Sequence, residues 1–330
     1  MKMTSEAQKE YGGFLPLELN PGKEWFEAYQ SCMMRFNTVK ASLFQALESM
    51  GVSRIYMPYY YCPTTIEAVK RSGIRVLFYH IDSSMEPEGI VDDADTAVLL
   101  VNYFGVMDGK MEALAGIYSQ SKVIIDNAQA FYCPPLMRKN VFNLYSAKKF
   151  FGIPDGSYLI GNDVTHEEQE EAFGEEYAQY LLTTYEKGTN AAYAEKKQVD
   201  ELLAANFGPM TKLSLGLLQN VDYERVYKRR CDNFELLAKA FAGRNHLRIP
   251  ETCAAYHYPL LSGETGRQVK KKLIQSRIYV PTLWEGEDLL REGNAFERDM
   301  SRNAVFLPMD QRYGEEDMAY IIAKVKEYDD

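Results

Sequence analysis

Lys122-Val-Ile-Ile-Asp126-Asn-Ala-Gln129 is the segment of the chain that says most about its architecture. After one lysine it has a run of three β-branched residues, which predicts a buried strand over Lys122–Ile125. Asp126 and Gln129 follow this strand at once. Ligands of parallel sheets gather at the carboxyl ends of the strands. The segment therefore predicts a functional carboxylate, Asp126, at such an edge.

Similar apolar runs occur on both sides of this segment, separated by stretches with a helical period. They predict strands at Arg54–Tyr60, Val76–Ile81, Thr96–Val101 and Tyr158–Ile160, with crossover helices at Thr64–Ser72 and Met111–Gln120. The strands show little polar alternation, as expected of strands covered on both faces. The alternation of strand and helix therefore predicts an α/β fold of three layers, with a mostly parallel sheet between helices.

The pattern changes after the predicted sheet. Residues 166–242 are rich in Ala, Leu, Glu and Lys and predict long helices. From Pro250 onward a mixed pattern predicts strands at Ala254–Leu260 and Ile278–Pro281, and helices at Thr265–Ser276 and from Glu315. We therefore expect a large domain over residues 1–242, with an N-terminal arm and the helical segment, and a smaller α+β domain over residues 243–330.

Charge and composition exclude several classes of protein. The 330 residues carry a net charge of -10, which repels phosphate backbones and anionic lipid, so neither nucleic acid nor a membrane is an expected partner. The five cysteines form no C-x-x-C pair and the four histidines stand alone, so we expect no disulfide framework and no metal site. The sequence shows no transmembrane stretch or signal peptide, which indicates a cytoplasmic protein.

Two further motifs are expected to meet Asp126 at the edge of the sheet. Ser146-Ala-Lys-Lys149-Phe-Phe-Gly152 follows the central strands, and Asn37-Thr-Val-Lys40 opens a predicted helix that runs through Leu47. The three motifs occur in the order in which a parallel sheet would present a ligand. Together they supply an acid, an amine and the N-terminus of a helix.

These groups match the three requirements of pyridoxal phosphate (PLP). A buried carboxylate such as Asp126 keeps the ring nitrogen protonated through a charge-assisted hydrogen bond of about 1.5–3 kcal/mol. The aldehyde needs a lysine, here Lys149, to form a Schiff base. The phosphate needs a helix N-terminus with hydroxyl donors, which Thr38 and Ser146 provide. The ordered set indicates PLP as the cofactor.

Each motif also has a purely structural interpretation. An aspartate after a strand is most often a turn former or a helix cap, and Asn37-Thr38 is by default an N-cap. Lys148 and Lys149 could be a solvated pair, and tyrosines 59 to 61 could serve packing alone. The joint occurrence of the three motifs favours the functional interpretation.

The same residues resemble motifs of the DegT–StrS family of sugar aminotransferases, which are PLP-dependent transferases of fold type I. Asp126-Asn-Ala-Gln129-Ala is similar to the family's D-x-A-Q-A/S segment, and Ser146-x-x-Lys149 to the S-x-x-K arrangement of many type I aminotransferases. The resemblance covers nearly the whole chain. It implies that Asp126 meets the pyridinium nitrogen and Gln129 the phenolic oxygen. It also assigns Ser146 to the phosphate and Lys149 to the aldehyde carbon.

Three other segments resemble the family with changes. Pro58–Cys62 is similar to the loop whose aromatic residue covers the cofactor ring, and that position falls at Tyr61 or Cys62. Asn37–Lys40 replaces a small-residue turn for the phosphate, which Lys40 could itself contact as a point charge. Asn206-Phe-Gly-Pro-Met resembles, shifted by one residue, the segment whose asparagine reaches the phosphate of the neighbouring subunit.

The resemblance implies an aminotransferase that acts as a homodimer with active sites at the interface. It would move an amino group from an amino acid to a keto sugar or a nucleotide-linked keto sugar. Glutamate is the usual amino donor in the family. Two alternatives stay open: a PLP-dependent dehydratase or lyase, and a catalytically silent binding protein with this fold. Sugar dehydratases of the family carry His where this chain has Lys149, which favours transamination.

Overall fold

The computed structural model of the chain describes residues 11–165 and 169–329. An eight-stranded sheet lies at its centre. Its strands are β1 (Met33–Phe36), β2 (Arg54–Pro58), β3 (Arg75–Ile81), β4 (Pro87–Glu88), β5 (Thr96–Val101), β6 (Lys122–Asn127), β7 (Val141–Ser146) and β8 (Ser157–Ile160). Across the sheet their order is β1-β8-β7-β6-β5-β2-β3-β4. Residues 1–10 of the expected N-terminal arm, residues 166–168 of the predicted helical segment and residue 330 lie outside the described residues.

Five neighbouring strands, β3, β2, β5, β6 and β7, run parallel to one another. The strands β4 and β8 run antiparallel to their neighbours. Every residue of β5 and β7 is buried, as is typical of strands covered on both faces. The predicted α/β fold with a mostly parallel sheet is confirmed.

Eleven α-helices are found among the described residues, and most of them follow the predicted pattern. They are α1 (Val39–Met50), α2 (Pro63–Arg71), α3 (Asp108–Ile117), α4 (Glu175–Lys187), α5 (Tyr193–Ala205), α6 (Lys212–Leu218), α7 (Tyr223–Phe241), α8 (Gly266–Gln275), α9 (Glu287–Glu292), α10 (Ala295–Asn303) and α11 (Glu315–Asp329). The predicted helices Thr64–Ser72 and Thr265–Ser276 agree with α2 and α8 to within a residue at each end. The helix expected at Met111–Gln120 begins and ends three residues earlier, as α3.

The C-terminal third contains a second, two-stranded sheet of β9 (Tyr258–Leu260) and β10 (Val305–Leu307). The antiparallel pair packs with α8, and α7 contacts both β9 and α11. One strand prediction was too long here and another was wrong. The strand expected at Ala254–Leu260 forms only over its last three residues, and Ile278–Pro281 forms none. Apolar residues of that segment, such as Val280, are buried in the hydrophobic core without pairing in a sheet.

The strand β7 was not predicted, because a polar residue interrupts its apolar run. Asn143 lies in its centre and is completely buried. Its side-chain amide donates to the carbonyl of Ile160 at 3.0 Å and accepts the N–H of Leu136 at 3.0 Å. A buried amide costs little when its hydrogen bonds are made, so this strand tolerates asparagine. No helix of the described residues is both long and apolar enough to cross a membrane.

A strained turn after β5 packs directly against the segment that follows β6. Phe104 has φ 58° and Gly105 φ 81°, and a Cβ on Gly105 would lie 2.5 Å from the carbonyl oxygen of Gln129. The N–H of Phe104 donates to Oε1 of Gln129 at 3.0 Å. The turn therefore fixes the side chain of Gln129, and only glycine fits at its second position.

We expect Gly105→Ala to lower the free energy of unfolding by roughly 2 kcal/mol or more, because both the positive φ and the close approach oppose a methyl group. Urea denaturation measures the change. Gly109→Ala is the matched control, since Gly109 lies in α3 with no atom within 4 Å of an added Cβ. A helical Gly-to-Ala change of this kind is neutral or stabilises by about 0.5–1 kcal/mol. Equal effects of the two changes would contradict this account of the turn.

Candidate active site

Asp126 lies near the end of β6, in the middle of the parallel sheet. It pairs with Val101 of β5 on one side and Leu144 of β7 on the other, and its side chain is buried. Oδ1 accepts the N–H of Ala128 at 2.8 Å, and Oδ2 accepts the hydroxyl of Tyr61 at 2.5 Å. An ionised carboxylate has about four acceptor positions, so Asp126 can still accept a further donor.

Lys149 is brought to the same edge of the sheet by a short turn. The strand β7 ends at Ser146, and residues Ala147–Lys149 form a single 3-10 turn. The N–H of Ala147 donates to the carbonyl of Gly156 at 3.1 Å, and the N–H of Gly156 donates to the carbonyl of Asn37 at 3.0 Å. Two consecutive backbone hydrogen bonds thus join the lysine turn to the segment that begins α1.

The N-terminus of α1 is fixed by its own cap and by the sheet. Thr38 is the N-cap, and its hydroxyl accepts the N–H of Ala41 at 3.2 Å. Ser42 of α1 and Ser157 of β8 are completely buried, and their hydroxyl oxygens lie 2.7 Å apart. This contact holds the helix against the strand that follows the lysine turn, so the first N–H groups of α1 lie close to Ser146.

Nine of the ten residues singled out from the sequence line one cavity of about 350 Å³. We call it the site cavity. Its predicted members are Asn37, Thr38, Lys40, Tyr61, Cys62, Asp126, Gln129, Ser146 and Lys149. The volume is within the range of about 300–1,000 Å³ that is usual for small-molecule sites. An acid, an amine, hydroxyls and a helix N-terminus therefore meet in one cavity, as the sequence predicts.

Asn206 is the predicted residue that does not line the site cavity. It follows α5, and its exposed side chain donates to the carbonyl of Leu202 at 3.2 Å. Only its backbone approaches the site, because its carbonyl accepts the side-chain amide of Asn37 at 2.6 Å. Within one chain, the side chain of Asn206 points away from this cavity.

Three cavity residues could not be found from a motif. Trp284, Tyr256 and His257 come from loops of the C-terminal third. The ring of Trp284 packs 5.8 Å from that of Tyr61, and Lys149 Nζ lies 5.9 Å from the ring centre of Tyr256. No local pattern marks such residues, since only the packing of the two parts of the chain brings them to the cavity.

Lys149 is half-buried, and its surroundings shift the pKa of its ammonium. Burial lowers the pKa of its ammonium below the usual 10.5, while Asp126 and Cys62 act in the opposite direction. A lower pKa enlarges the fraction of neutral, nucleophilic amine near neutral pH. Burial and the neighbouring Asp126 also raise the pKa of Tyr61 far above its usual value, so its hydroxyl remains a hydrogen-bond donor.

We expect Lys149 to reach half of its maximal reactivity with acetic anhydride at a pH below 10.5. In Asp126→Asn the midpoint is expected to move further down, because the carboxylate that favours the ammonium has been removed. Peptide mass spectrometry measures the labelling, with the exposed Lys326 as reference for the reagent. A midpoint above 10.5, or an upward movement in Asp126→Asn, would contradict this electrostatic description.

A second, larger cavity of about 830 Å³ adjoins the first. Lys149, Tyr256 and His257 line both cavities. We call it the arginine cavity, because its lining also includes three guanidinium groups and two carboxylates, from Arg230, Arg277, Arg312, Asp310 and Asp317. With the ammonium of Lys149, four basic groups stand against two carboxylates, so the lining is basic, in contrast to the negative charge of the whole chain.

Arg230 is completely buried in the wall of the arginine cavity. It donates to the carbonyl of Ala255 at 2.9 Å and to Gln311 at 3.1 Å, and its guanidinium lies 4.5 Å from the ring centre of Phe150. No carboxylate of the described residues forms an ion pair with it. Burial and the positive charge of Arg230 lower the pKa of His257 to about 3, so its ring is neutral at neutral pH.

No protein-family model matches the chain, and no curated protein matches it. Among solved structures, an aminotransferase of the DegT/DnrJ/EryC1/StrS group from Brucella abortus is similar with a TM-score of 0.63 and 16% identity, covering 91% of this chain and 87% of that chain. The sugar aminotransferase CalS13 from Micromonospora echinospora has a TM-score of 0.61 and 14% identity, with 89% and 87% covered.

The PLP form of Spr1654 from Streptococcus pneumoniae, a candidate sugar aminotransferase, is similar to the same degree. Its TM-score is 0.63 at 16% identity, with 92% of this chain and 88% of that chain covered. At such low identity a structural likeness carries information about the fold rather than about the reaction. The chain therefore has the fold of these aminotransferases over about nine-tenths of its length.

Proposed function

We propose that the chain is a PLP-dependent aminotransferase that moves an amino group from an amino acid to a keto sugar or a nucleotide-linked keto sugar. Glutamate is the proposed donor. The observation that carries this proposal is the meeting of Asp126 and Lys149 in one cavity, with the hydroxyls of Thr38 and Ser146 beside them. The fold shared with sugar aminotransferases supports it.

The donor set of the site cavity fits PLP. Asp126 is buried and retains free acceptor capacity for a ring N–H, although Tyr61 and Ala128 already donate to it. Thr38 and Ser146 offer hydroxyls beside the N-terminus of α1, where the helix dipole favours a phosphate dianion. Gln129 lines the same cavity and is held by the turn after β5.

When bound, PLP supplies an electrophilic carbon and a ring that accepts electrons from the carbon undergoing reaction. Lys149 would hold it covalently and, when released, carry a proton between substrate and cofactor atoms. Asp126 would keep the ring nitrogen protonated. The hydroxyl of Tyr61 keeps the carboxylate of Asp126 in position, because it donates to Oδ2. Either Tyr61 or Cys62 would cover the ring.

The arginine cavity is the proposed place for the substrates. It opens beside Lys149 and is large enough for a sugar with an attached nucleotide. Amino acids and nucleotide-linked sugars both carry anionic groups, which guanidinium groups bind well. The neutral ring of His257 lies between the two cavities and can accept or donate a hydrogen bond to either substrate.

We further propose a homodimer, a cytoplasmic location and two domains that divide near residue 242. The helix α7 would then connect the domains, since it contacts β9 and α11 of the smaller part. Asn206 is exposed and directed away from the site cavity of its own chain. That position supports a contact with the cofactor phosphate of the partner subunit, as the sequence resemblance implies.

The test is spectroscopic. Purified protein with added PLP should develop a visible absorbance band, glutamate should bleach it, and a keto sugar acceptor should restore it. A band that no amino donor changes would instead favour a lyase or a silent binding protein. Failure of the purified protein to bind PLP would contradict the proposal.

A further inference from the structure

We propose that Lys148, positioned by Asp200 of α5, is a cation that binds the cofactor phosphate. The inference rests on the proposed function, because it requires PLP in the site cavity. Lys148 immediately precedes Lys149 in the 3-10 turn and also lines the site cavity. From the sequence alone, Lys148 could be a solvated residue beside the functional Lys149.

The placement of Lys148 points to the phosphate end of the cavity. Its backbone N–H and that of Ala147 both face the carbonyl of Gly156, at 3.5 and 3.1 Å. Gly156 in turn donates to the carbonyl of Asn37, the residue before the N-cap Thr38. Lys148 therefore lies next to the N-terminus of α1, where an anion is favoured.

Lys148 shares its carboxylate partner with a second lysine and keeps N–H donors that Asp200 does not take. Its ammonium donates to Oδ1 of Asp200 at 2.7 Å, and the ammonium of Lys196 donates to Oδ2 of the same carboxylate at 2.5 Å. Two lysines share one carboxylate, so the trio carries a net positive charge. An ammonium has three N–H donors, and Asp200 takes one from Lys148.

A second carboxylate, Asp155, lies near Lys148 and acts on it through its charge, without a hydrogen bond between the two among the described residues. Its oxygens accept hydrogen bonds from the hydroxyls of Thr211 and Ser214. Its charge balances the net positive charge of the trio, so a bound phosphate would be held by the remaining N–H donors of Lys148 and not by a surplus of positive charge. A bound phosphate would be the acceptor that faces the remaining N–H groups from within the cavity.

The proposal also assigns a role to α5. Asp200 lies on this helix, and the residue after its end, Asn206, accepts the side-chain amide of Asn37. The helix thus touches the phosphate end at two points. Asp200 is a positioning residue, since it would act on the phosphate through Lys148.

The experiment compares the affinities for PLP and for pyridoxal, which lacks the phosphate, by absorbance titration of the full chain. In Lys148→Met the preference for PLP over pyridoxal should fall roughly 10- to 100-fold, as for loss of a charge-assisted hydrogen bond. Affinity for pyridoxal should stay within about twofold. Lys148→Arg, which keeps the charge, should retain most of the preference.

Lys196→Met is the matched control. It removes the same charge from the same carboxylate, but Lys196 does not line the site cavity. Its preference for PLP should stay close to that of the unchanged protein. Asp200→Asn should lower the preference by about 3- to 10-fold, and should have no further effect when combined with Lys148→Met, because the two residues act as one unit.

Three results would overturn the inference. An unchanged preference in Lys148→Met would show that the phosphate is bound without it, while the proposed function would stand. Equal losses for PLP and pyridoxal would identify a purely structural role. If the unchanged protein bound neither compound, the proposed function would fail and this inference with it.

Discussion

Replacing Lys149 with alanine is expected to abolish covalent capture of PLP and to slow amino transfer by at least about 10³-fold, since one amine serves as both anchor and proton carrier. Lys149→Arg should behave in the same way, although it keeps the positive charge, because a guanidinium does not form a Schiff base with the aldehyde at neutral pH. Borohydride reduction followed by peptide mapping measures the capture.

The neighbouring lysine makes this test specific. Lys148 lines the same cavity and remains in place in Lys149→Ala. If reduction still fixed the cofactor, and the label moved to or had always been on Lys148, the assignment of the anchor would be wrong by one residue. Denaturant unfolding of both variants confirms that the fold is retained.

Asp126→Asn is expected to slow amino transfer by about 10²–10³-fold, the usual cost of removing one preorganised charged group from an active site. The neutral amide no longer holds a proton on the ring nitrogen, so the ring accepts electrons less well. The lysine should still capture the cofactor, which separates this variant from Lys149→Ala. Rapid mixing with glutamate, followed by absorbance, measures the rate.

Asp108→Asn is the control for the loss of a carboxylate. Asp108 begins α3 and accepts the side-chain amide of Asn102 at 2.8 Å, but it does not line the site cavity. Its rate should stay within about threefold of the unchanged protein, as for a residue without contact to the reacting groups. Equal losses in both variants would indicate that Asp126 acts through stability instead of chemistry.

The centre of the fold and most of the candidate site could be predicted from the sequence because the relevant signals are local. An apolar run followed by Asp126 predicts a buried strand with a carboxylate at its end, and β6 places it there. The same holds for Thr38, which caps α1 as an N-terminal signal predicts. In a parallel sheet the carboxyl ends of the strands lie at one edge, so the meeting of these residues follows from the predicted fold class.

The residues that could not be predicted depend on long-range packing. Arg230 lies in a highly charged stretch of α7 that a sequence pattern assigns to a solvated surface, yet it is completely buried against backbone carbonyls. Trp284 reaches the site cavity from a loop between α8 and α9. The strand β7 was not predicted, because the sequence does not show that the polar side chain of Asn143 has hydrogen-bond partners in the core.

The central claim is that PLP lies between Asp126 and Lys149, with its phosphate at the N-terminus of α1. A crystal structure of the protein with PLP is the most direct measurement. We expect density continuous with Nζ of Lys149, the ring nitrogen within hydrogen-bond distance of Asp126, and the phosphate beside Thr38 and Ser146. A cofactor bound elsewhere, or a ring nitrogen facing away from Asp126, would contradict the account.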